Sequence, residues 1–172
     1  MTVVVFETHA TSEDNEAGIA TGWLGGALSA AGRTQAEELG ARRRADRLDA
    51  VYSSDLHRAV ETARIAFPDA ELPVRLDWRL RECDYGELNG MPRARLDQAR
   101  VAHVERPWPG GESWRQAVYR VSSFLDELAG GRVLVIGHVA TRWALEHRAH
   151  GRSIDELARE EFEWRPGWEY AL

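Results

Sequence analysis

The sequence predicts an α/β protein, a three-layer α/β/α sandwich built on a mostly parallel central sheet. Strand-like and helix-like segments alternate along the chain, which is typical of parallel strands joined by crossover helices. Val3–Phe6 is a continuous apolar run with three β-branched residues, as expected of a strand buried on both faces. Arg132–Ile136 is the most strand-like segment in the chain and predicts a second such strand.

The remaining elements follow from shorter patterns of apolar residues and helix caps. Two further strands are predicted at Ala50–Tyr52 and Leu72–Leu76, and helices are predicted from Ser29 to about Arg47, from Ser54 or Asp55 through Ile65, from Pro92 to Val104, from Ser113 to Leu128 and from Ala140 to Ala149. A glycine-punctuated loop runs through Asp84, Gly86 and Gly90. We expect Arg42–Arg44 to lie on a solvated helix face.

Length and composition predict one soluble domain. The chain has 172 residues, 44% hydrophobic and 29% charged, which suits a single compact unit and is too apolar for a disordered one. Its 22 basic residues, all arginine, face 28 acids, giving a net charge of −6. That balance speaks against nucleic acid as a partner, because binding to phosphate backbones normally needs a basic face.

Cysteine content and hydropathy indicate where in the cell the protein is expected. Cys83 is the only cysteine, which excludes an intrachain disulfide and a cysteine-rich zinc site. No stretch approaches the length of a signal sequence core or a membrane span. We therefore expect a cytoplasmic protein without a membrane partner.

Chemically active side chains follow several of the predicted strands. His9 and His138 come just after the first and last strong strands, Arg58 falls in the first turn of the helix after the second, and Glu82 lies in the loop after the third. Taken singly, each residue is better explained as structural or as part of the surface. Ligands of open α/β sheets bind at the carboxyl ends of the strands. The joint placement therefore predicts that the four residues converge on one crevice.

The motifs around these residues resemble those of the histidine phosphatase superfamily, also called phosphoglycerate mutase-like. The matching segments are Thr8-His9-Ala10 with Asn15, Gly22-Trp23, Leu28-Ser29 with Gly32 and Gln35-Ala36, Ser53 through Arg58 to Ala63, Leu80-Arg81-Glu82 with Tyr85-Gly86, Pro109 to Ser113, and Val133 to His138. They occur in the family's order over about residues 3 to 145. The motif at Pro109 to Ser113 is frequent in the phosphatase members.

The resemblance implies that residues 1–172 form a single histidine phosphatase-like domain with phosphatase activity on phosphomonoesters. It assigns the nucleophile to His9, which would form a phosphohistidine intermediate. Arg58 and His138 would stabilise charge on the phosphoryl oxygens, and Glu82 would act as general acid and then general base. Asn15 would donate an amide hydrogen bond to the phosphate. The chemistry implied is independent of metals and cofactors.

Two departures from the family's opening motif concern substrate binding. Thr8 stands where the family has arginine, and Thr11 stands where it has an acid. Loss of a bidentate guanidinium contact would weaken phosphate binding and slow catalysis. We expect Arg142, or failing that Arg81, to place its guanidinium in the space that Thr8 leaves.

Other readings of the sequence remain open. A catalytically impaired member that binds a phosphorylated ligand or partner is the main alternative, although such a module has no chemical need for Glu82. A mutase is disfavoured because only about thirty residues separate Glu82 from Pro109-Gly110. The expected partner is a small phosphorylated substrate of undefined identity, and homodimer formation is left open.

The remaining histidines and tryptophans are weaker candidates for a site. We favour an exposed pair over a metal site for His147 and His150, which lie three residues apart. Trp108 and Trp114 flank the glycine pair and could either wall a substrate pocket or simply pack. Trp164 and Trp168 are expected to close the core or an interface.

Overall fold

The computed structural model describes residues 1–68 and 72–172. In chain order its strands and α-helices are β1 (Thr2–Thr8), α1 (Glu13–Glu16), β2 (Ile19–Ala20), α2 (Ala30–Arg43), β3 (Ala50–Ser53), α3 (His57–Ala66), β4 (Val74–Leu76), β5 (Met91–Pro92), α4 (Arg93–Ala99), α5 (Trp114–Leu125), β6 (Gly131–Gly137), α6 (Val139–His150), α7 (Ile154–Leu157) and β7 (Trp168–Ala171). Short 3₁₀ turns occupy Trp78–Leu80, Gly86–Leu88 and Arg100–His103.

The central sheet confirms the predicted fold class. Its five strands lie in the order β4-β3-β6-β1-β7. The first four are parallel to one another, and β7 joins the edge antiparallel to β1. A separate two-stranded ribbon pairs β2 with β5. Neither the ribbon nor β7 was predicted from the sequence.

Alternation of side chains along the strands creates the three layers. Val4 and Phe6 of β1 join the apolar cluster beneath α5 and α6, whereas Val5 joins the cluster beneath α2 and α3. In β6, Val135 and Ile136 divide between the same two clusters. Because successive strand residues face opposite sides, a continuous apolar run fills both cores.

Serine caps fix the starts of two long helices, but a third helix begins differently from the prediction. Ser29 caps α2 and Ser113 caps α5 through their side-chain oxygens. The predicted cap of α3 at Ser54 or Asp55 is wrong: the N-cap is Leu56, without a side-chain bond. Ser54 instead accepts the Leu56 amide, and Asp55 binds an arginine. Both side chains therefore have other hydrogen-bond partners and do not cap α3.

Only part of the arginine run at the end of α2 is solvated as predicted: Arg44 is exposed, but Arg42 and Arg43 are partly buried. The helix ends at Arg43, earlier than predicted. Arg42 and Arg43 lie 3.2 and 2.8 Å from the carboxylate of Glu7, which is buried in β1. A buried carboxylate is costly unless it is paired and hydrogen-bonded, and the two guanidinium groups meet that need.

Two other predicted elements are shorter than expected. The single helix predicted from Pro92 to Val104 is α4, ending at Ala99, followed by a 3₁₀ turn. The strand predicted at Leu72–Leu76 is β4, which begins at Val74. No described helix is long and apolar enough to cross a membrane.

Candidate active site

The two strand-end histidines meet because β1 and β6 are neighbours in the sheet. Thr8 lies opposite Gly137 in the parallel register. The His9 amide continues the ladder by donating to the Gly137 carbonyl at 3.0 Å. The imidazole rings of His9 and His138 are 5.1 Å apart, centre to centre. The predicted convergence of these two residues is therefore present in the structure.

The ring of His9 is held in one tautomer. Its Nδ1 lies 2.7 Å from the carbonyl oxygen of Ala10, so that Nδ1 must carry the proton. Ala10 is fixed in turn, because its amide donates to Thr62 Oγ1. Loss of hydration, and then the charge of Arg58, lower the pKa of His9 to about 3. Above that pH the ring is neutral and Nε2 presents a lone pair.

Arg58 is a buried cation between the two histidines and the loop that follows β2. It is the second residue of α3 and is 3% exposed. Its guanidinium donates to the Gly22 carbonyl at 2.9 Å and approaches His138 Nδ1 at 3.4 Å. Burial lowers the pKa of Arg58, yet a guanidinium starts so far above neutrality that it stays charged.

The Nε2–H group of His138 is a hydrogen-bond donor available to a ligand. It is 1% exposed, and burial followed by the charge of Arg58 holds its pKa well below the usual value. Since Nδ1 accepts from Arg58, the proton of the neutral ring sits on Nε2. Nε2 has no hydrogen-bond partner within the described part of the chain. An oxyanion beside His9 would supply the missing acceptor.

The carboxylate of Glu82 sits on the first turn of α6. Oε1 accepts the amides of Cys83 at 2.9 Å and Ala140 at 3.1 Å, and Oε2 accepts that of Val139 at 3.3 Å. The side chain is buried and lines both cavities described below. These amide donors fix the carboxylate next to His138.

A partly buried ion pair holds the backbone of the Glu82 loop. Arg120 of α5 donates to the carbonyls of Arg79, Arg81 and Glu82 and forms a bidentate pair with Glu112. Glu112 belongs to the motif Pro109 to Ser113. A Cβ on its neighbour Gly111 would lie 2.2 Å from the Asp84 carbonyl, so only glycine permits this close approach. The motif therefore positions the acid-bearing loop. Its anchor, Arg120, lies outside the motif and was not predicted from the sequence.

Asn15, Thr8 and Thr11 complete the surroundings of His9. Asn15 accepts the Ser12 amide through Oδ1, which leaves its Nδ2 donor free to face a ligand. Thr8 Oγ1 is buried without a partner in the described chain. The amide of Thr11 donates to Gln35 Oε1.

Two cavities meet at His9, Asn15, Ile19, Glu82, Arg93 and Val139. The inner one, of about 60 Å³, extends to Arg58, Tyr85, Arg100 and Trp114. The outer one, of about 500 Å³, extends to Thr8, Thr11, His138, Phe162 and Trp164. All four residues predicted as catalytic line one or both cavities, as do Thr8, Thr11 and Asn15. Arg93, Arg100, Phe162 and Trp164 were not predicted to belong to the site, and no spacing or motif distinguishes them.

The structure does not bring Arg142 or Arg81 into either cavity. The Arg142 guanidinium lies over the Trp168 ring, 5.1 Å from its centre, and also faces Phe162. Arg81 makes two hydrogen bonds of 2.7 Å to Asp55 and stacks over Trp23. Both guanidinium groups already have aromatic partners, and neither lines a cavity with His9.

The remaining histidines and tryptophans each have identifiable packing or hydrogen-bond partners or line one of the cavities. His147 bonds to the Arg152 carbonyl and His150 to the Glu146 carboxylate, so the two rings have separate partners. Trp108 stacks on His103 in the core. Trp114 lines the inner cavity, Trp168 packs on Phe6, and Trp164 lines the outer cavity.

Comparison with known proteins agrees with this arrangement. Residues 4–164 match the family model of the histidine phosphatase superfamily (branch 1). A 2,3-bisphosphoglycerate-dependent phosphoglycerate mutase of Parvibaculum lavamentivorans is 32% identical over 79% of this chain and 74% of that enzyme. Phosphoglycerate mutase 1 of Saccharomyces cerevisiae is 38% identical, but the match covers 55% of this chain and only 40% of the yeast enzyme.

A solved structure shows the same architecture. The mycobacterial glucosyl-3-phosphoglycerate phosphatase, in complex with VO3, superposes with a TM-score of 0.79 at 28% identity, over 92% of this chain and 86% of that one. With the family model spanning most of its length, this chain belongs to the histidine phosphatase superfamily, branch 1.

Proposed function

We propose that the protein is a phosphatase that hydrolyses phosphomonoesters through a phosphohistidine on His9. The observation that carries the proposal is the state of His9: a neutral ring, locked by the Ala10 carbonyl, with Nε2 free beside a buried cation. A neutral imidazole with its other nitrogen tied to an acceptor is a competent nucleophile. A module that only binds phosphate has no need of this tautomer.

In the first step, His9 Nε2 attacks phosphorus while the bond from phosphorus to the ester oxygen breaks. Glu82 serves as the general acid and gives a proton to the departing alkoxide. Negative charge on the equatorial oxygens is met by the Arg58 guanidinium, the His138 Nε2 donor and the Asn15 amide. Phosphoryl transfer depends mainly on such positioning and charge stabilisation.

In the second step, water attacks the phosphohistidine and the bond between nitrogen and phosphorus breaks. Glu82, now a carboxylate, takes a proton from the water, which restores its starting state. The outer cavity, of about 500 Å³, is lined by His9 and therefore has room for the attacking water beside the phosphohistidine. Arg93 and Arg100 share one acidic partner, Asp97, so the pair leaves net positive charge beside the inner cavity, which favours the entry of anionic substrates.

The proposal is tested by turnover of a panel of phosphomonoesters that includes phosphoglycerates. We expect release of inorganic phosphate from several members. Interconversion of phosphoglycerate isomers without phosphate release would point to a mutase instead, and binding without turnover would point to the catalytically impaired alternative.

Glu82→Gln should separate substrates by leaving group. Glutamine keeps the shape of the side chain but can neither give nor take the proton, and an alkyl alkoxide needs protonation far more than p-nitrophenolate does. We expect kcat for alkyl phosphates to fall by about 10² to 10⁴-fold. In a pre-steady-state assay the rate of the first step with p-nitrophenyl phosphate should fall much less. Equal losses in that step for both substrates would contradict the assigned role, and this pattern cannot come from a contaminating phosphatase.

A further inference from the structure

The outer cavity has an aromatic wall that the proposed reaction does not use. Phe162 and Trp164 come from the segment between α7 and β7, and they face the same cavity as His9 and His138. Ile19 and Val139 add aliphatic surface to its lining. One side of a site built for phosphate is thus apolar.

The two aromatic rings differ in how they are supported. Phe162 is partly buried, packs 6.2 Å from the Trp168 ring and lies against the Arg142 guanidinium. Trp164 is 55% exposed and has no aromatic neighbour in the described chain. A large indole left half in solvent at the edge of a cavity gains contact area when a flat ligand covers it.

The space beside Trp164 suits a ring-sized group. At about 500 Å³ the cavity lies within the range of small-molecule sites. Thr8 contributes only a short side chain to the lining of this cavity, which also includes His9 and Trp164. The charged members, Glu82 and Arg93, lie where this cavity joins the inner one.

We propose that the outer cavity holds the leaving group and that it selects a planar aromatic ring stacked on Trp164. This proposal rests on the proposed function for the position of the phosphoryl group beside His9. The substrate class is then a phosphomonoester of an alcohol that carries an aromatic ring near the ester oxygen.

Binding of phosphonates tests this subsite without requiring turnover. Phenethylphosphonate and butylphosphonate carry the same charged group, and only the first has a ring. Calorimetry should show that the protein binds phenethylphosphonate more tightly, by about 10-fold, a ratio typical of stacking on an aromatic side chain. Trp164→Ala should remove most of this preference, and Trp164→Phe should keep part of it.

A matched control is Tyr119→Ala, which removes a similarly exposed aromatic side chain from the outer face of α5, away from both cavities. It should leave the preference unchanged. With phenethyl and butyl phosphates as substrates, whose leaving groups are similar primary alcohols, Trp164→Ala should raise KM for the aromatic ester alone.

The outcomes separate this proposal from the proposed function. Absence of any aromatic preference in the wild-type protein, or its survival in Trp164→Ala, would overturn the subsite whether or not phosphomonoesters are hydrolysed. Failure of hydrolysis together with a Trp164-dependent preference for the aromatic phosphonate would overturn the phosphatase and retain the subsite.

Discussion

Replacing His9 with asparagine is expected to lower kcat/KM for every phosphomonoester by at least about 10⁴-fold, since loss of the attacking group of a covalent mechanism removes the whole route. The asparagine amide can still donate to the Ala10 carbonyl, which preserves the local fold. Steady-state turnover measured beside wild-type protein gives the ratio. Vanadate or phosphate should still bind, because Arg58 and His138 remain in place.

His57→Asn is the matched control for this substitution. The His57 ring also bonds to a carbonyl oxygen through Nδ1, at 3.2 Å from Gly26, but it is exposed at the start of α3. This variant should retain full activity. If His9→Asn kept a tenth or more of the wild-type rate, His9 would not be the nucleophile.

Arg58→Met should lower kcat/KM by about 10³-fold, because a guanidinium that stabilises a phosphoryl transition state commonly contributes 10³ to 10⁵. A second effect follows from the charge of Arg58, which helps to depress the pKa of His9. Removing that charge should raise the pKa of His9 from about 3 towards its ordinary value, although burial still opposes protonation. An NMR titration of the His9 ring measures this shift.

Arg64→Met provides the comparison for Arg58, since Arg64 is an exposed arginine near the end of the same helix. It should change neither the rate nor the titration of His9. A large loss of activity in Arg58→Met with no upward shift of the His9 pKa would show that the two side chains are not coupled electrostatically as described.

Much of the fold and of the site could be predicted from local patterns. The β-branched runs that form β1 and β6 are buried on both faces. Residues that directly follow parallel strands lie together at the carboxyl edge of the sheet. His9 and His138 were therefore predictable as neighbours. Ser29 and Ser113 were recognisable as N-caps because a short polar side chain just before a helical pattern can accept a hydrogen bond from a backbone amide of the first turn.

The parts that could not be predicted depend on contacts between distant segments. The edge strand β7 and the aromatic wall at Phe162 and Trp164 come from a segment whose sequence has no strong period, so only packing against β1 and α6 places them. Arg42 and Arg43 looked like surface residues because nothing local shows that Glu7 is buried beside them.

The expected guanidinium beside Thr8 illustrates the same limit. Position on a helix suggested that Arg142 could reach the crevice, but the ring of Trp168, contributed by β7, offers it a cation–π partner elsewhere. Arg93 and Arg100, which do line the inner cavity, are separated from His9 by more than eighty residues and share no motif with it. The arrangement of charge around the phosphate position is thus a tertiary property.

The most direct test of the account is detection of phosphate on His9 during turnover. Protein quenched in alkali within the first turnovers of p-nitrophenyl phosphate should carry one phosphoryl group that is stable in base and labile in acid, and peptide mapping should place it on His9. His9→Asn should carry none. A wild-type protein that hydrolyses the ester without ever carrying this label, or that carries it on another residue, would contradict the central claim.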